Sequence, residues 1–309
     1  MKIKWQKKGI IMADARSRLR GRQARSRPKA VKSGRISEQL EAGLIQKYER
    51  LKEEIKSAEG ALVAFSGGID SSLLLRVATD VLGKRATAVI VDSPLFSRQE
   101  IQAARRLAAD LKVNLKTVQI NSLEIPGVAK NTDKRCYYCK FSLFSRLKEL
   151  AREMGLNRVL EGSNLDDSAD FRPGRKALKE LGIYSPLAEA GFTKAEIRRL
   201  ARYLGLPNWN KPQAACLASR IPYGQPLDRV ILEKIEKGEE IIRQLGFSQV
   251  RLRHHGEIAR IEIDPKEFPL WLKPGISEKV VANLKRLGYR YVTLDLDGYR
   301  TGSLNPTNK

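Results

Sequence analysis

Apolar residues recur at helical spacing through residues 36–57, at Ile36, Leu40, Leu44, Ile45, Tyr48, Leu51 and Ile55, which predicts an amphipathic helix. A short continuous apolar run follows, Ala61-Leu62-Val63-Ala64-Phe65, as expected of a strand buried on both faces. The polar turn Ser66-Gly67-Gly68-Ile69-Asp70-Ser71-Ser72 then gives way to Leu73-Leu74-Leu75-Arg76-Val77-Ala78, a second helix that stops near Gly83. The alternation continues. Ala86-Thr87-Ala88-Val89-Ile90-Val91 predicts a strand ending in Asp92-Ser93-Pro94, and Ser97 with Glu100 reads as a capping box opening the next helix. Further strands are expected at 115–120 and 158–161, with a long helix around 133–154 between them. Thr193 and Glu196 form a second capping-box pattern, for a helix ending at Gly205.

Strands alternating with helices imply an α/β fold: a parallel sheet with helices on both faces. After about residue 225 the pattern changes. A helix at 228–245 leads into two alternating runs, Val250-Arg251-Leu252-Arg253-His254-His255 and Ile258-Ala259-Arg260-Ile261-Glu262-Ile263, joined at Gly256, which is a hairpin signal. A helix at 277–287 and a strand at 291–296 complete a smaller α+β unit. The expected organisation is therefore residues 1–35 as a separate arm, 36–215 as the parallel-sheet domain and 216–309 as the C-terminal α+β domain.

In parallel sheets ligands sit at the carboxyl ends of strands, near the point where strand order reverses. Three expected strand ends carry polar or glycine-rich segments, at 66–72, 92–94 and 162–164 (Gly162-Ser163-Asn164). In the first, adjacent Gly67 and Gly68 allow close backbone approach, and the free N–H groups of the following helix start favour an anion. Ser66, Ser71 and Ser72 add hydroxyl donors, and Asp70 is placed to hold a magnesium ion or orient a group. No Gly-Lys-Ser/Thr follows, so this is not a Walker A loop.

The net charge of +23 suggests a polyanionic partner. Residues 1–35 hold thirteen Lys and Arg against the single acid Asp14, about half of that excess, and read as a disordered basic arm able to touch nucleic acid without sequence preference. No apolar stretch is long enough to span a membrane, and no secretory apolar segment follows the basic start, so a soluble cytoplasmic protein is expected. Three cysteines, an odd number, argue for a reducing compartment.

Cys136-Tyr137-Tyr138-Cys139 is a C-x-x-C pair, open to a redox couple, half a zinc site or part of an iron–sulfur site. Cys216 lies in Ala214-Ala215-Cys216-Leu217-Ala218-Ser219-Arg220. Zinc would need a fourth ligand, and His254 and His255 lack ligand spacing and point to opposite strand faces. Arg251 and Arg253 share a face and suit bidentate phosphate binding. Asp166, Asp167 and Asp170 fit either magnesium binding or turn capping.

The glycine turn resembles the pyrophosphate loop (PP-loop) of the ATP pyrophosphatases, which split ATP into AMP and pyrophosphate. With VDSPLFSR, RCYYCK, EGSNLDDSADFRPG, ACLASRIPYG and VRLRHHGEIARIE, the sequence more narrowly resembles the LarE family of sulfur transferases of nickel-pincer cofactor biosynthesis, over residues 61–263. That resemblance implies ATP-dependent adenylation of a carboxylate of a pyridinium dicarboxylate mononucleotide, with Mg2+, followed by sulfur replacing AMP to leave a thiocarboxylate. It implies nucleotide or substrate contacts from Ser66, Gly67, Gly68, Asp70, Ser71, Ser72, Asp92, Ser93, Gly162, Arg220, Arg251 and Arg253. Catalytic roles are expected of Cys216, Asp70, Lys140 and Glu239, with Ser219 also near the substrate. Some family members surrender the sulfur of their own cysteine. Others carry a 4Fe-4S cluster on three cysteines, and the pattern of Cys136, Cys139 and Cys216 favours the cluster. A homo-oligomer is implied as well.

The nearest rival reading is a PP-loop tRNA thiolase, favoured by the basic arm but lacking a second C-x-x-C pair or other zinc-binding RNA module. A nucleotide or nucleic-acid-binding protein without catalysis is a further rival, opposed by the intact Ser66, Asp70 and Ser71.

Overall fold

The computed structural model describes residues 41–168, 173–212 and 215–300. The basic arm at 1–35, residues 36–40 of the first expected helix, Asp170 and Ala214 lie outside these described residues. The first domain runs α1 (Ala42–Lys56), β1 (Ala61–Ala64), α2 (Ile69–Leu82), β2 (Ala86–Asp92), α3 (Arg98–Asp110), β3 (Asn114–Gln119), α4 (Pro126–Ala129), α5 (Arg135–Glu153), β4 (Arg158–Leu160), α6 (Pro173–Glu180), α7 (Pro186–Glu189) and α8 (Lys194–Tyr203). The strands form one parallel sheet in the order β3-β2-β1-β4. Strand order reverses between β1 and β4, so the turn after β1 opens at the switch point, where ligands bind in such sheets.

Both faces of the sheet are covered. On β1, Ala61 and Val63 join the core built by α1, α2, α3, α7 and α8. Leu62, between them in sequence, joins the opposite core with Phe144 and Leu147 of α5 and Leu178 of α6. That two-sided burial is why β1 is apolar at successive positions rather than alternating.

The C-terminal part comprises α9 (Arg229–Gln244), β5 (Val250–His255), β6 (Ile258–Ile263), α10 (Phe268–Trp271), α11 (Ile276–Arg286) and β7 (Tyr291–Leu294). β5 and β6 form the expected antiparallel hairpin about Gly256, and β7 adds parallel to β6. α9 and α11 pack Ile235, Ile242, Val280 and Leu284 onto Leu252, Ala259 and Ile261. This core also takes in Leu95, Ile125 and Val128, which the chain supplies from the first domain.

One local expectation is corrected. Ser97 sits at the N-cap of α3 but its side chain makes no capping bond. The carboxylate of Glu100 is turned instead to Lys211, 111 residues away. The Thr193–Glu196 capping box is present in full. β7 ends at Leu294, two residues short of the expected strand, as the chain turns through Asp295–Gly298.

Candidate active site

The turn between β1 and α2 is tight for identifiable reasons. Gly67 has φ +73°, and a Cβ there would lie 2.7 Å from the Cβ of Ala104 on α3. Neither the dihedral nor the space admits a side chain. Gly68 is the extended N-cap of α2, and its carbonyl accepts the hydroxyls of Ser71 (3.1 Å) and Ser72 (2.7 Å). The Ser66 and Ser71 hydroxyls are 3.1 Å apart, and the Gly68 N–H donates to Ser66 Oγ at 3.3 Å. From the other side Gly162, just past β4, presses so close that a Cβ would sit 3.0 Å from the Ser71 nitrogen. The turn is thus clamped between α3 and the end of β4, with Ser66 exposed at its mouth.

Three residues with no motif of their own join this loop. Asn208 donates to Gly67 O (3.2 Å) and Ser72 Oγ (2.8 Å). Lys211 reaches Gly67 O at 3.4 Å and pairs with Glu100. Lys194, the first residue of α8, pairs with Asp70, whose other oxygen receives Asn164 Nδ2 at 3.4 Å. Of the acids after β4, Asp166 accepts the Lys194 N–H (2.8 Å) and Asp167 the Asn164 N–H (3.1 Å), which is turn and cap work. At the end of β2, Asp92 pairs with Arg98 and, at 3.7 Å, Arg105, while Ser93 Oγ meets Ser122 Oγ at 2.7 Å in the interior.

The three cysteines, distant in sequence, fall within electrostatic reach of one another. Cys136 and Cys139 stand one turn apart at the start of α5, and Cys216 opens a 3-10 turn at Leu217–Arg220. The Leu217 N–H donates to Leu95 O at 2.8 Å, fixing that turn beside the end of β2. All three are free and half-buried, and Cys139 and Cys216 lie against the C-terminal core. Burial, then the nearby Cys216, pushes the Cys136 thiol up, against the pull of Arg135 and Lys140. Burial, then Cys216 and Cys136, pushes Cys139 up to about 12. Lys140 lays its stem across Gly174, where a Cβ would be 2.7 Å from Lys140 Cδ. Among the described residues no three His, Cys, Asp or Glu side chains form a ready single-ion site. The three thiols influence one another electrostatically, and soft sulfur donors are the type an iron–sulfur cluster takes.

Beside the cysteine turn lies a buried arginine network. Glu239 on α9 accepts Arg220 through both oxygens (2.8 and 3.1 Å), Arg243 at 2.5 Å and the Leu252 N–H at 3.1 Å. Burial opposes the Glu239 charge, but Arg220, Arg243 and Arg251 outweigh it and hold the carboxyl below its usual range. Arg251 and Arg253 share one face of β5, as their parity requires, and both are buried rather than solvated. Arg253 donates to Ser219 O (2.8 Å) and Glu262 (2.6 Å), and the Arg251 guanidinium lies 5.0 Å over the Tyr299 ring. His254 faces the core, bonded to Tyr289 at 3.2 Å, whereas His255 lies on the arginine face.

A family model described as NAD synthase matches residues 44–136, the stretch that carries the glycine loop and strands β1–β3. Over 267 residues the chain is 41% identical to pyridinium-3,5-bisthiocarboxylic acid mononucleotide synthase of Lactiplantibacillus plantarum, covering 86% of this chain and 96% of that protein. It is 40% identical over 262 residues to an uncharacterized protein of Synechocystis, covering 85% and 98%. An uncharacterized protein of Methanocaldococcus jannaschii is 30% identical over 260 residues, covering 84% and 97%. Among the described residues no helix is long and apolar enough to cross a membrane. Kinship that covers 86% of this chain and 96% of that synthase settles the family: the chain belongs to LarE, the ATP-dependent sulfur transferases built on a PP-loop domain.

Proposed function

We propose that this enzyme adenylates a carboxylate of pyridinium-3,5-biscarboxylic acid mononucleotide and converts it to a thiocarboxylate, with sulfur passed through a 4Fe-4S cluster on Cys136, Cys139 and Cys216. The observation that carries the reading is that three thiols from distant stretches influence one another electrostatically, with the cysteine turn tied to the buried Arg253 through Ser219 O. A free carboxylate resists attack by sulfur, so the chemistry needs a leaving group. One carboxylate oxygen bonds to the α-phosphorus of ATP as the bond to the β-phosphate bridge breaks, and pyrophosphate departs; sulfur then takes the place of AMP. The loop N–H groups and the hydroxyls of Ser66 and Ser71 hold the phosphates, with the α2 dipole behind them. Asp70 takes Mg2+, a hard cation that prefers oxygen ligands.

Arg251 and Arg253 bind the phosphate of the mononucleotide, since a guanidinium matches a phosphate through two parallel bonds. Glu239 works through Arg220, which it fixes against the cysteine turn, rather than by touching substrate. Lys140, beside Cys136, favours the thiolate there. When bound, a cluster supplies sulfide at an iron left open by three-cysteine ligation. Burial favours the protonated thiol at Cys136 and Cys139, and binding iron would remove those protons.

The test is anaerobic reconstitution with iron and sulfide, read by metal analysis, visible absorption and intact mass after turnover. About four irons per chain, lost in Cys136→Ala, support the cluster. Colourless, active protein that loses one hydrogen sulfide in mass at Cys216 points to the sacrificial route instead. Pyrophosphate released with tRNA but not with the pyridinium mononucleotide would make the chain a tRNA thiolase.

A further inference from the structure

Two lysines that no motif announced flank the glycine loop, and each is occupied by a carboxylate. Lys194 approaches from the β4 side and is paired with Asp70; Lys211 approaches from the α3 side and is paired with Glu100. Both lysine side chains are about a quarter exposed, at 23% each, so neither is shut into the core. Both are also braced. The Lys194 backbone is held by Asp166 at 2.8 Å, and Lys211 N donates to Asn208 O at 3.0 Å, with Asn208 itself bonded to the loop. The loop's own donors are neutral N–H and O–H groups. A polyphosphate entering it brings several negative charges, and these amines stand within hydrogen-bond reach of loop residues with partners that a phosphate can replace.

We propose that Lys194 and Lys211 are the cationic contacts of the β- and γ-phosphates of ATP, gripping the chain from opposite sides, and that Asp70 and Glu100 are their placeholders in the nucleotide-free protein. Exchange of carboxylate for phosphate keeps both amines neutralised at every stage. It also releases the Asp70 carboxylate at the moment nucleotide arrives. In the transition state, negative charge builds on the departing pyrophosphate, so the same two amines stabilise the leaving group. The inference rests on the PP-loop reading and adds the side chains that give the loop its charge.

Calorimetric binding of α,β-methylene-ATP, uncleavable at the reacting bond, compared with AMP tests it in the full-length chain. Lys194→Ala and Lys211→Ala should each weaken the ATP analogue at least tenfold while leaving AMP within about twofold, and Lys→Arg at either site should restore most of the loss. Glu100→Gln removes a placeholder and should tighten the analogue severalfold, an effect a merely structural lysine pair would not produce. Alanine variants that bind the analogue as wild type does, or that lose AMP equally, overturn the proposal. If an alanine variant does not fold, unchanged affinity in Glu100→Gln overturns it alone. A wild-type chain that binds neither nucleotide overturns the PP-loop reading itself, an outcome distinct from lysine-independent binding.

Discussion

Arg220 is held by both oxygens of Glu239 while its remaining nitrogen, Nη1, donates to Ala215 O at 2.8 Å, Cys216 O at 3.1 Å and Ser219 Oγ at 3.0 Å. One buried guanidinium therefore joins the cysteine turn to α9 of the C-terminal domain. Burial disfavours its charge, and the Glu239 partner more than compensates, so its pKa is raised.

Removing one partner of such a pair leaves an uncompensated buried charge. Glu239→Ala should destabilise the protein by about 3–5 kcal/mol, measured by urea denaturation, and Glu239→Gln by less because the amide still accepts a bond. The pH dependence has a definite sign. Glu239 is held below its ordinary 4.5 in the folded chain, so its stabilisation is complete above that value and fades as pH falls through the lowered one. The gap between wild type and Glu239→Gln should narrow on acidification below 4.5; a gap that widens there would contradict the assignment.

The two capping boxes show where sequence reading reaches and where it stops. Ser97-x-x-Glu100 and Thr193-x-x-Glu196 look alike along the chain, yet only the second closes. Glu100 is claimed by Lys211, a partner brought close only by the folded sheet. Local patterns of spacing, strand ends and glycine turns were legible because period and turn chemistry act over a few residues. Asn208, Lys211 and Lys194 were not, since nothing near them in sequence marks a lysine or asparagine as a loop contact. Burial of Arg251 and Arg253 was hidden likewise, because strand parity tells which face they share but not what covers it. Thr193→Ala should then cost about 1 kcal/mol, and Ser97→Ala no more than about 0.5 kcal/mol. Denaturant midpoints of the two variants, compared side by side, decide the matter, and equal losses would count against the difference.

Gly162 matters for its lack of a side chain. A Cβ there would be 3.0 Å from Ser71 N and 3.2 Å from the Asp70 carbonyl carbon, both backbone atoms of the phosphate loop. The backbone must yield by a few tenths of an ångström, and the part that yields is the loop. Gly162→Ala should keep its fold but lose ATP-dependent pyrophosphate release by tenfold or more, since a small misplacement of reacting groups costs about 10²-fold. Gly67→Ala should be worse, adding left-handed strain of about 1–2 kcal/mol to a contact of 2.7 Å with Ala104. Wild-type turnover in either variant would mean that the loop does not need this geometry.

The thiols should also differ in reactivity before any metal is bound. Only the thiolate attacks an alkylating agent, and Cys139, pushed up to about 12 by burial and then by Cys216 and Cys136, holds almost none near neutrality. Cys136 is raised by burial and Cys216 alone; Arg135 lowers both thiols, but Lys140 and an Arg135 hydrogen bond lower Cys136 in addition. Iodoacetamide labelling of metal-free protein, followed by peptide mass spectrometry, should therefore modify Cys139 more slowly than Cys136 at neutral pH. Raising the pH should speed Cys139 without a plateau until about 12. Cys216→Ala removes the largest neighbouring thiol influence on both, so Cys136 and Cys139 should each label faster in that variant than in wild type. If Cys216→Ala leaves both rates unchanged, the three cysteines do not share a site, and the case for a common cluster fails with them.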